Sequence, residues 1–187
     1  IPDATRLQLL RIQRTTRDME QLVALLLALA KDPSRMAQAS QPIALDALLP
    51  EIVDNHRYLT EGKSLSLQVD APHACNIVAP PGIVRAAIGN LLRNAIEHSD
   101  NGLIRIELQA DATVVIRDPG HGMAPEQISA VYSQLARGTP TSGDGIGLDL
   151  IARLCAHLGW TLDFQSDEGG TTATLRLRAL SDGRARA

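Results

Sequence analysis

The chain has 187 residues, of which 44% are hydrophobic, and its charged residues nearly balance at a net charge of −3. This composition supplies the core of one full domain plus an appendage, and it excludes the extended basic surface of a nucleic-acid-binding protein. Aromatic residues, at 2%, are too few for a base-stacking surface. The two cysteines form no metal or disulfide pattern and no apolar run is long enough to span a bilayer, so we expect a reduced, cytoplasmic setting.

The first segment, residues 1–31, is predicted to be one long helix of a helical bundle. Apolar side chains from Ile12 to Leu29 recur at alternating spacings of three and four residues. A single helix cannot bury such a seam, which therefore predicts association with partner helices. Residues 32–44 contain two prolines that interrupt the pattern, and they are predicted to be a linker.

Residues 45–180 are predicted to form the main domain, with residues 181–187 as a tail. Periodicity predicts helices over 43–59, from the Pro-Pro-Gly at 80–82 through about residue 98, and over 125–135 and 146–158. Alternation predicts strands over 64–70, 75–78, 103–110, 113–118, 161–166 and 171–178. Hairpin strands interleaved with helices, without strict βαβ alternation, predict an α+β fold, a two-layer α/β sandwich with a mixed sheet.

The segment "NLLRNAIEHS", residues 90–99, places three polar side chains on one helix at steps of four. Asn90, Asn94 and His98 are expected to form a strip along the edge of an apolar stripe, because each step rotates only about 40° around the helix. For one amide alone, capping a loop or binding water is the plainer alternative. A row of three also suits a polar ligand or a hydrated metal.

Two glycine clusters are the other candidate binding motifs. In "RDPGHGM", Gly120 and Gly122 allow close approach of backbone to a ligand, and Asp118 can accept a hydrogen bond from an exocyclic amine such as that of adenine. "SGDGIGL" opens a helix, whose N-terminus attracts phosphate, although it matches neither a P-loop nor a Rossmann fingerprint. Each cluster taken alone is more often a structural turn.

The order of these motifs resembles the ATP-binding domain of sensor histidine kinases, which share a superfamily with DNA gyrase, the Hsp90 chaperones and the MutL proteins. "NLLRNAIEHS" resembles the N box, and "DPGHGM", "GDGIGL" and "GGTT" resemble the three glycine boxes. The resemblance covers residues 45 to about 178 and implies a Bergerat-type ATP-binding fold. The leading helix, with "RDMEQLVALLLALA", resembles the second helix of the dimerisation and phosphoacceptor hairpin.

The resemblance implies ATP and Mg²⁺ as cofactors and assigns roles to individual residues. Asn94 would be the metal ligand, Asn90 and His98 would contact phosphate or the waters of the ion, and Asp118 would accept the adenine amine. Arg137, just before the lid, would neutralise γ-phosphate charge and is implied with Asn90 in catalysis. The other implied nucleotide-binding residues are Gly120, Gly122, Gly143, Gly145, Gly147 and Leu148, together with Thr171 or Thr172.

Asn90 also distinguishes among possible reactions. Related enzymes that activate water or serine carry a glutamate there, and an amide cannot take up a proton at neutral pH. Neutral imidazole is already a nucleophile, so the sequence favours transfer to histidine over hydrolysis. None of the five histidines stands in the H-E/D-x-x-x-P context of the family's acceptor: His56, His73, His98, His121 and His157.

We therefore expect the catalytic part of a sensor histidine kinase whose acceptor helix lies outside this chain. The implied partners are a response regulator and a second copy, joined through the hairpin bundle, and a preceding region that anchors the intact protein in a membrane is compatible with this assignment. Two alternatives stay open: a nucleotide-sensing or protein-binding module of the same fold without kinase activity, and a hydrolytic ATPase.

Overall fold

The computed structural model describes residues 39–122, 146–167 and 169–178. The strands in this part of the chain are β1 (Gln41–Ala44), β2 (Ser64–Asp70), β3 (Asn76–Ala79), β4 (Asn101–Leu108), β5 (Thr113–Asp118), β6 (Thr161–Asp167) and β7 (Gly170–Arg176). The helices are α1 (Leu45–His56), α2 (Pro81–Glu97) and α3 (Ile146–Leu158), with a 3₁₀ turn over Arg57–Thr60. The helices predicted over 1–31 and 125–135 lie outside the described residues, as do Arg137, Gly143 and Gly145.

Five strands form the main sheet, in the order β2-β4-β5-β7-β6. β2 and β4 are parallel and the other neighbours are antiparallel, which makes the sheet mixed. The helices form the second layer: α1 packs against β2, α2 against β5 and β7, and α3 against β6. The α+β fold predicted from the sequence, a two-layer sandwich with a mixed sheet, is confirmed.

Helix α2 is the central helix of the second layer. It begins at Pro81, in the first turn, where the missing N–H of proline is not needed. Every member of the predicted apolar stripe is at most 8% exposed, which confirms the stripe: Ile83, Val84, Ala87, Ile88, Leu91, Leu92, Ala95 and Ile96. At about 25 cal/mol per Å², burial of these side chains is the main force that fixes α2 on the sheet.

The end of α2 lies one residue earlier than the predicted polar strip requires. His98 is the C-cap residue, with φ −90° and ψ 8°, so the prediction that it continues the helix is wrong. The ammonium group of Lys63 lies at this helix end, where its Nζ donates to the carbonyl oxygens of Ile96 at 2.7 Å and Ser99 at 2.8 Å. A cation at a helix C-terminus satisfies carbonyls that have no partner within the helix.

The start of the domain also differs from the prediction. Residues 41–44 were predicted to end a linker and begin a helix, but they form β1, which pairs antiparallel with β3. This pairing sets Ile43 opposite Ile77 and leaves them 8% and 1% exposed. Burial against a strand distant in sequence outweighs the local helical periodicity, and α1 begins only at Leu45.

The predicted bounds of helix α3 are confirmed, and the helix ends in a glycine cap. Gly159 has φ +68°, and the backbone N–H of Trp160 donates to the carbonyl of Cys155 at 2.8 Å. This is the hydrogen bond of a Schellman motif, and it turns the chain directly into β6. Trp160 is 7% exposed, so the junction of α3 and β6 belongs to the core. Among the described residues, no helix is both long and apolar enough to cross a membrane.

Candidate functional site

A cleft opens between α2, α3 and the β5–β7–β6 half of the sheet. It holds about 410 Å³ of empty space, its open mouth included. Its walls are mostly apolar and its polar groups are few, a combination typical of small-molecule sites. The lining residues are Leu91, Asn94, Ala95, His98, Ile116, Asp118, Leu148, Phe164, Thr171 and Ala173.

Asp118 is the half-buried carboxylate of this cleft, at the last position of β5. Its Oδ1 accepts hydrogen bonds from the backbone N–H of Gly120 at 3.0 Å and of Thr171 at 3.4 Å. The hydroxyl of Ser99 donates to the same oxygen at 3.5 Å. Burial raises the pKa of Asp118, and these three hydrogen bonds oppose the rise by favouring the charged form. Asp118 is thus a carboxylate held by donors on one oxygen.

The predicted polar strip divides between the cleft and the core. Asn94 and His98 both line the cleft. Asn90 is only 6% exposed and is not among the lining residues; its Nδ2 donates to the carbonyl of Ala86, one turn earlier in the same helix, at 3.0 Å. A step of four turns the side chain about 40°, enough to move from the buried side of α2 at Asn90 to its rim at Asn94. Contact of Asn90 with phosphate stays a prediction.

The first glycine box is packed against protein. A Cβ on Gly120 would collide with the carbonyl oxygen of His98 and lie 2.7 Å from Oδ1 of Asp118. Gly122 has φ +71°, and its Cβ would collide with the carbonyl oxygen of Asp167. Neither glycine is among the residues that line the cleft. Close packing, on His98 and Asp118 for Gly120 and on Asp167 for Gly122, therefore accounts for glycine at both positions, and their contact with a ligand stays a prediction.

The third glycine box meets Asp118 from the neighbouring strand. Gly170 has φ +127°, a conformation that side chains rarely adopt. A Cβ there would collide with the carbonyl oxygen of Asp118 and lie 3.1 Å from the backbone nitrogen of Gly120. Gly170 thus lets the start of β7 pack directly on the end of β5, beside the cleft.

The two threonines of "GGTT" lie on opposite faces of β7, because side chains alternate along a strand. Thr171 pairs with Asp118 across the sheet and lines the cleft. Thr172 pairs with Arg117 and is not among the residues that line the cleft; with Gln165 it lines a second, polar hollow, which Asp118 and Thr171 also border. The sequence left the choice between them open, and the structure places Thr171 in the cleft.

Leu148 and Gly147 both fall in the first turn of α3. Leu148 is 8% exposed and lines the cleft. Phe164, the only phenylalanine of the chain, lines the cleft from β6 and was not predicted as a site residue. The alternation of "TLDFQS" predicts that Phe164 lies on the buried face of the strand, but it does not predict that this face borders a cleft.

Comparison with known proteins finds a family whose model matches the part of the chain that forms this cleft. The model of the family described as histidine kinase-, DNA gyrase B- and HSP90-like ATPase matches residues 80–181. The phosphate regulon sensor protein PhoR of Pseudomonas aeruginosa is 29% identical over 175 residues, 88% of this chain and 40% of PhoR. The sensor-like histidine kinase SenX3 of Mycobacterium tuberculosis is 28% identical over 148 residues, 74% of this chain and 36% of SenX3. The chain thus spans well under half the length of these relatives.

Solved structures of histidine kinases share the fold. The chain resembles the histidine kinase AdeS of Acinetobacter baumannii with a TM-score of 0.67 and 15% identity, over 95% of this chain and 85% of AdeS. It resembles the catalytic domain of the histidine kinase ThkA with a TM-score of 0.63 and 17% identity, over 74% of this chain and 95% of that domain. At these identities the likeness concerns the fold.

Proposed function

Because the chain belongs to the family of histidine kinase-, DNA gyrase B- and HSP90-like ATPases, we propose that it contains the ATP-binding catalytic part of a sensor histidine kinase. The observation that carries the proposal is Asp118, a carboxylate with donors on one oxygen, in an apolar-walled cleft with Asn94. In the intact protein, the γ-phosphate of ATP would pass to a histidine on a hairpin helix, and then to an aspartate of a response regulator. A second copy would join through the same hairpin bundle.

Asp118 would recognise the adenine base. Within the residues that the structure describes, the hydrogen bonds to this carboxylate all end on Oδ1, so Oδ2 is the oxygen available to the exocyclic amine. Ile116 and Phe164 supply apolar surface for the faces of a purine, and Thr171 adds a hydroxyl on the lining. This contact would select adenine over guanine. The adenine amine donates a hydrogen bond to the carboxylate oxygen, whereas guanine carries a carbonyl oxygen at the same position, so two acceptors would face each other without a proton between them.

Asn94 would provide the protein's ligand to Mg²⁺. No cluster of three or more His, Cys, Asp or Glu side chains occurs among the described residues, so the protein offers no complete metal cage there. Mg²⁺ needs none, because it keeps several waters and binds through one or two protein oxygens together with substrate phosphates. A single amide oxygen on the cleft wall fits that requirement. When bound, the ion would screen the negative charge of the phosphates.

The remaining residues would act on the phosphate end of the nucleotide. Asn90 and His98 would contact phosphate or the waters of the ion, and Arg137 would neutralise γ-phosphate charge. Gly143, Gly145 and Gly147 would allow the lid to approach the phosphates, and the N-terminus of α3 would add its dipole. Because Asn90 is an amide, no general base is supplied there, which suits transfer to an imidazole.

Nucleotide titration by calorimetry tests the proposal. The parent chain should bind ATP and ADP in the presence of Mg²⁺ and bind GTP much more weakly. Asp118→Asn should weaken ATP binding by about 1.5–3 kcal/mol, the scale of a hydrogen bond to a charged group. The matched control is Asp70→Asn, at the exposed end of β2 and outside the cleft, which should leave the affinity unchanged.

Other outcomes would favour the alternatives. Equal affinity for ATP and GTP would refute the role of Asp118. Failure to bind either nucleotide with Mg²⁺ would indicate a module of this fold that works without nucleotide. Steady release of phosphate without any acceptor protein would indicate a hydrolytic ATPase.

A further inference from the structure

Ser99 is fully buried and lies directly between the end of α2 and the first glycine box. It is 0% exposed, although serine is most often a surface residue. Its carbonyl oxygen accepts from Lys63 Nζ at 2.8 Å, and a Cβ built on Gly120 would lie 3.0 Å from its hydroxyl. The backbone of Ser99 is thus anchored on one side and its side chain is closely packed on the other.

The hydroxyl of Ser99 donates to Oδ1 of Asp118 at 3.5 Å. The other two donors to this oxygen are the backbone N–H groups of Gly120 and Thr171. Ser99 therefore contributes the side-chain donor of this set. The last torsion of an aspartate is broad, so a weakly held carboxylate can turn away from the plane in which it would meet a ligand. A third donor, approaching from a buried and anchored residue, restricts that rotation.

We propose that Ser99 is a positioning residue that fixes the orientation of the Asp118 carboxylate and thereby sets the preference of the cleft for purines with a 6-amino group. The inference rests on the proposed function, in which Asp118 accepts the adenine amine. The role of Ser99 differs from that of Asp118. Ser99 contacts Asp118 but is not among the residues that line the cleft, so it acts through the carboxylate. The hydrogen bond also favours the charged form of Asp118 against the effect of burial on its pKa.

The experiment compares ATP with purine riboside triphosphate, which lacks the 6-amino group and is otherwise the same ligand. Both are titrated calorimetrically into the parent chain, Ser99→Ala and Ser99→Thr, with circular dichroism to verify folding. The matched control is Ser66→Ala, because the hydroxyl of Ser66 also donates one hydrogen bond, to the backbone carbonyl of Gly102, but from an exposed position on β2.

The expected result is a loss of affinity only for the ligand that carries the 6-amino group. Ser99→Ala should weaken ATP binding by roughly three- to tenfold, the scale of a typical intramolecular hydrogen bond, and leave the affinity for purine riboside triphosphate unchanged. Ser99→Thr, which keeps the hydroxyl, should restore the preference for ATP, and Ser66→Ala should not alter it.

The other possible outcomes distinguish failure of the positioning role from failure of the proposed function. Equal weakening of both ligands in Ser99→Ala, or an undiminished preference for ATP, would overturn the positioning role while leaving the proposed function intact. A parent chain that binds both ligands equally would overturn the adenine role of Asp118. A parent chain that binds neither would overturn the proposed function, and this inference with it.

Discussion

Gly170→Ala should be among the most damaging single substitutions in the described part of the domain. Gly170 has φ +127°, and its Cβ would collide with the carbonyl oxygen of Asp118, a backbone atom that cannot rotate away. Holding an alanine in such a conformation costs about 1–3 kcal/mol. Separating β7 from β5 to admit the methyl group adds about 1–3 kcal/mol of overpacking strain. Together these take roughly 2–6 kcal/mol from a domain whose total stability is about 5–15 kcal/mol.

Urea unfolding followed by circular dichroism measures this loss. The matched control is Gly82→Ala in the first turn of α2, where a Cβ meets nothing within 4 Å and the backbone carries no positive φ. Alanine there should leave the stability unchanged or raise it by up to about 1 kcal/mol. If Gly170→Ala unfolds within about 0.5 kcal/mol of the parent, a change typical of an ordinary surface substitution, the packing argument at the β5–β7 junction is wrong.

Two further predictions concern Asn94 and Asp118. Asn94→Ala should weaken binding of Mg-ATP by about 1–3 kcal/mol, and calorimetry with and without Mg²⁺ should show that the dependence on the ion shrinks; an unchanged dependence would remove Asn94 from the metal ligands. Burial raises the pKa of Asp118 in the folded protein, so its ionisation lowers stability as pH rises through that raised pKa. Asp118→Asn has no ionisable group at this position and keeps an acceptor oxygen. Its free energy of unfolding, measured in urea, should therefore equal that of the parent in acid and exceed it at neutral pH, although the variant binds ATP less well. If the parent instead gained stability over the variant with rising pH, the sign of the shift would be wrong.

Local periodicity was sufficient to predict most of the architecture. The apolar stripe of α2, the bounds of α3 and the strand over 113–118 are each set by side chains that repeat with the period of one element. The site residues that could be predicted are those whose chemistry is visible in the side chain itself. Asp118 and Asn94 combine a polar group with a position at the end or rim of an apolar run, and both line the cleft.

What the sequence did not give depends on contacts between distant segments. β1 pairs with β3, which sets Ile43 opposite Ile77, and Lys63 bonds a carbonyl in the last turn of α2 from more than thirty residues away. The choice of Thr171 over Thr172 requires the register of β7 against β5. Ser99 is the sharpest case, because a serine at the end of a helix gives no sign that it is fully buried beside a carboxylate.

The cap of α3 has a practical consequence for spectroscopy. Trp160 is the only tryptophan of the 187 residues, and the chain reversal at Gly159 sets it in the core at the start of β6. Indole emission from this protein therefore comes from one known, water-shielded position. Opening of the α3–β6 junction exposes that ring to solvent, so a red shift of the fluorescence will report the event without any attached dye. Phe164, four residues further along the chain and within β6, lines the cleft, whereas Trp160 does not, so this intrinsic reporter lies outside the binding surface.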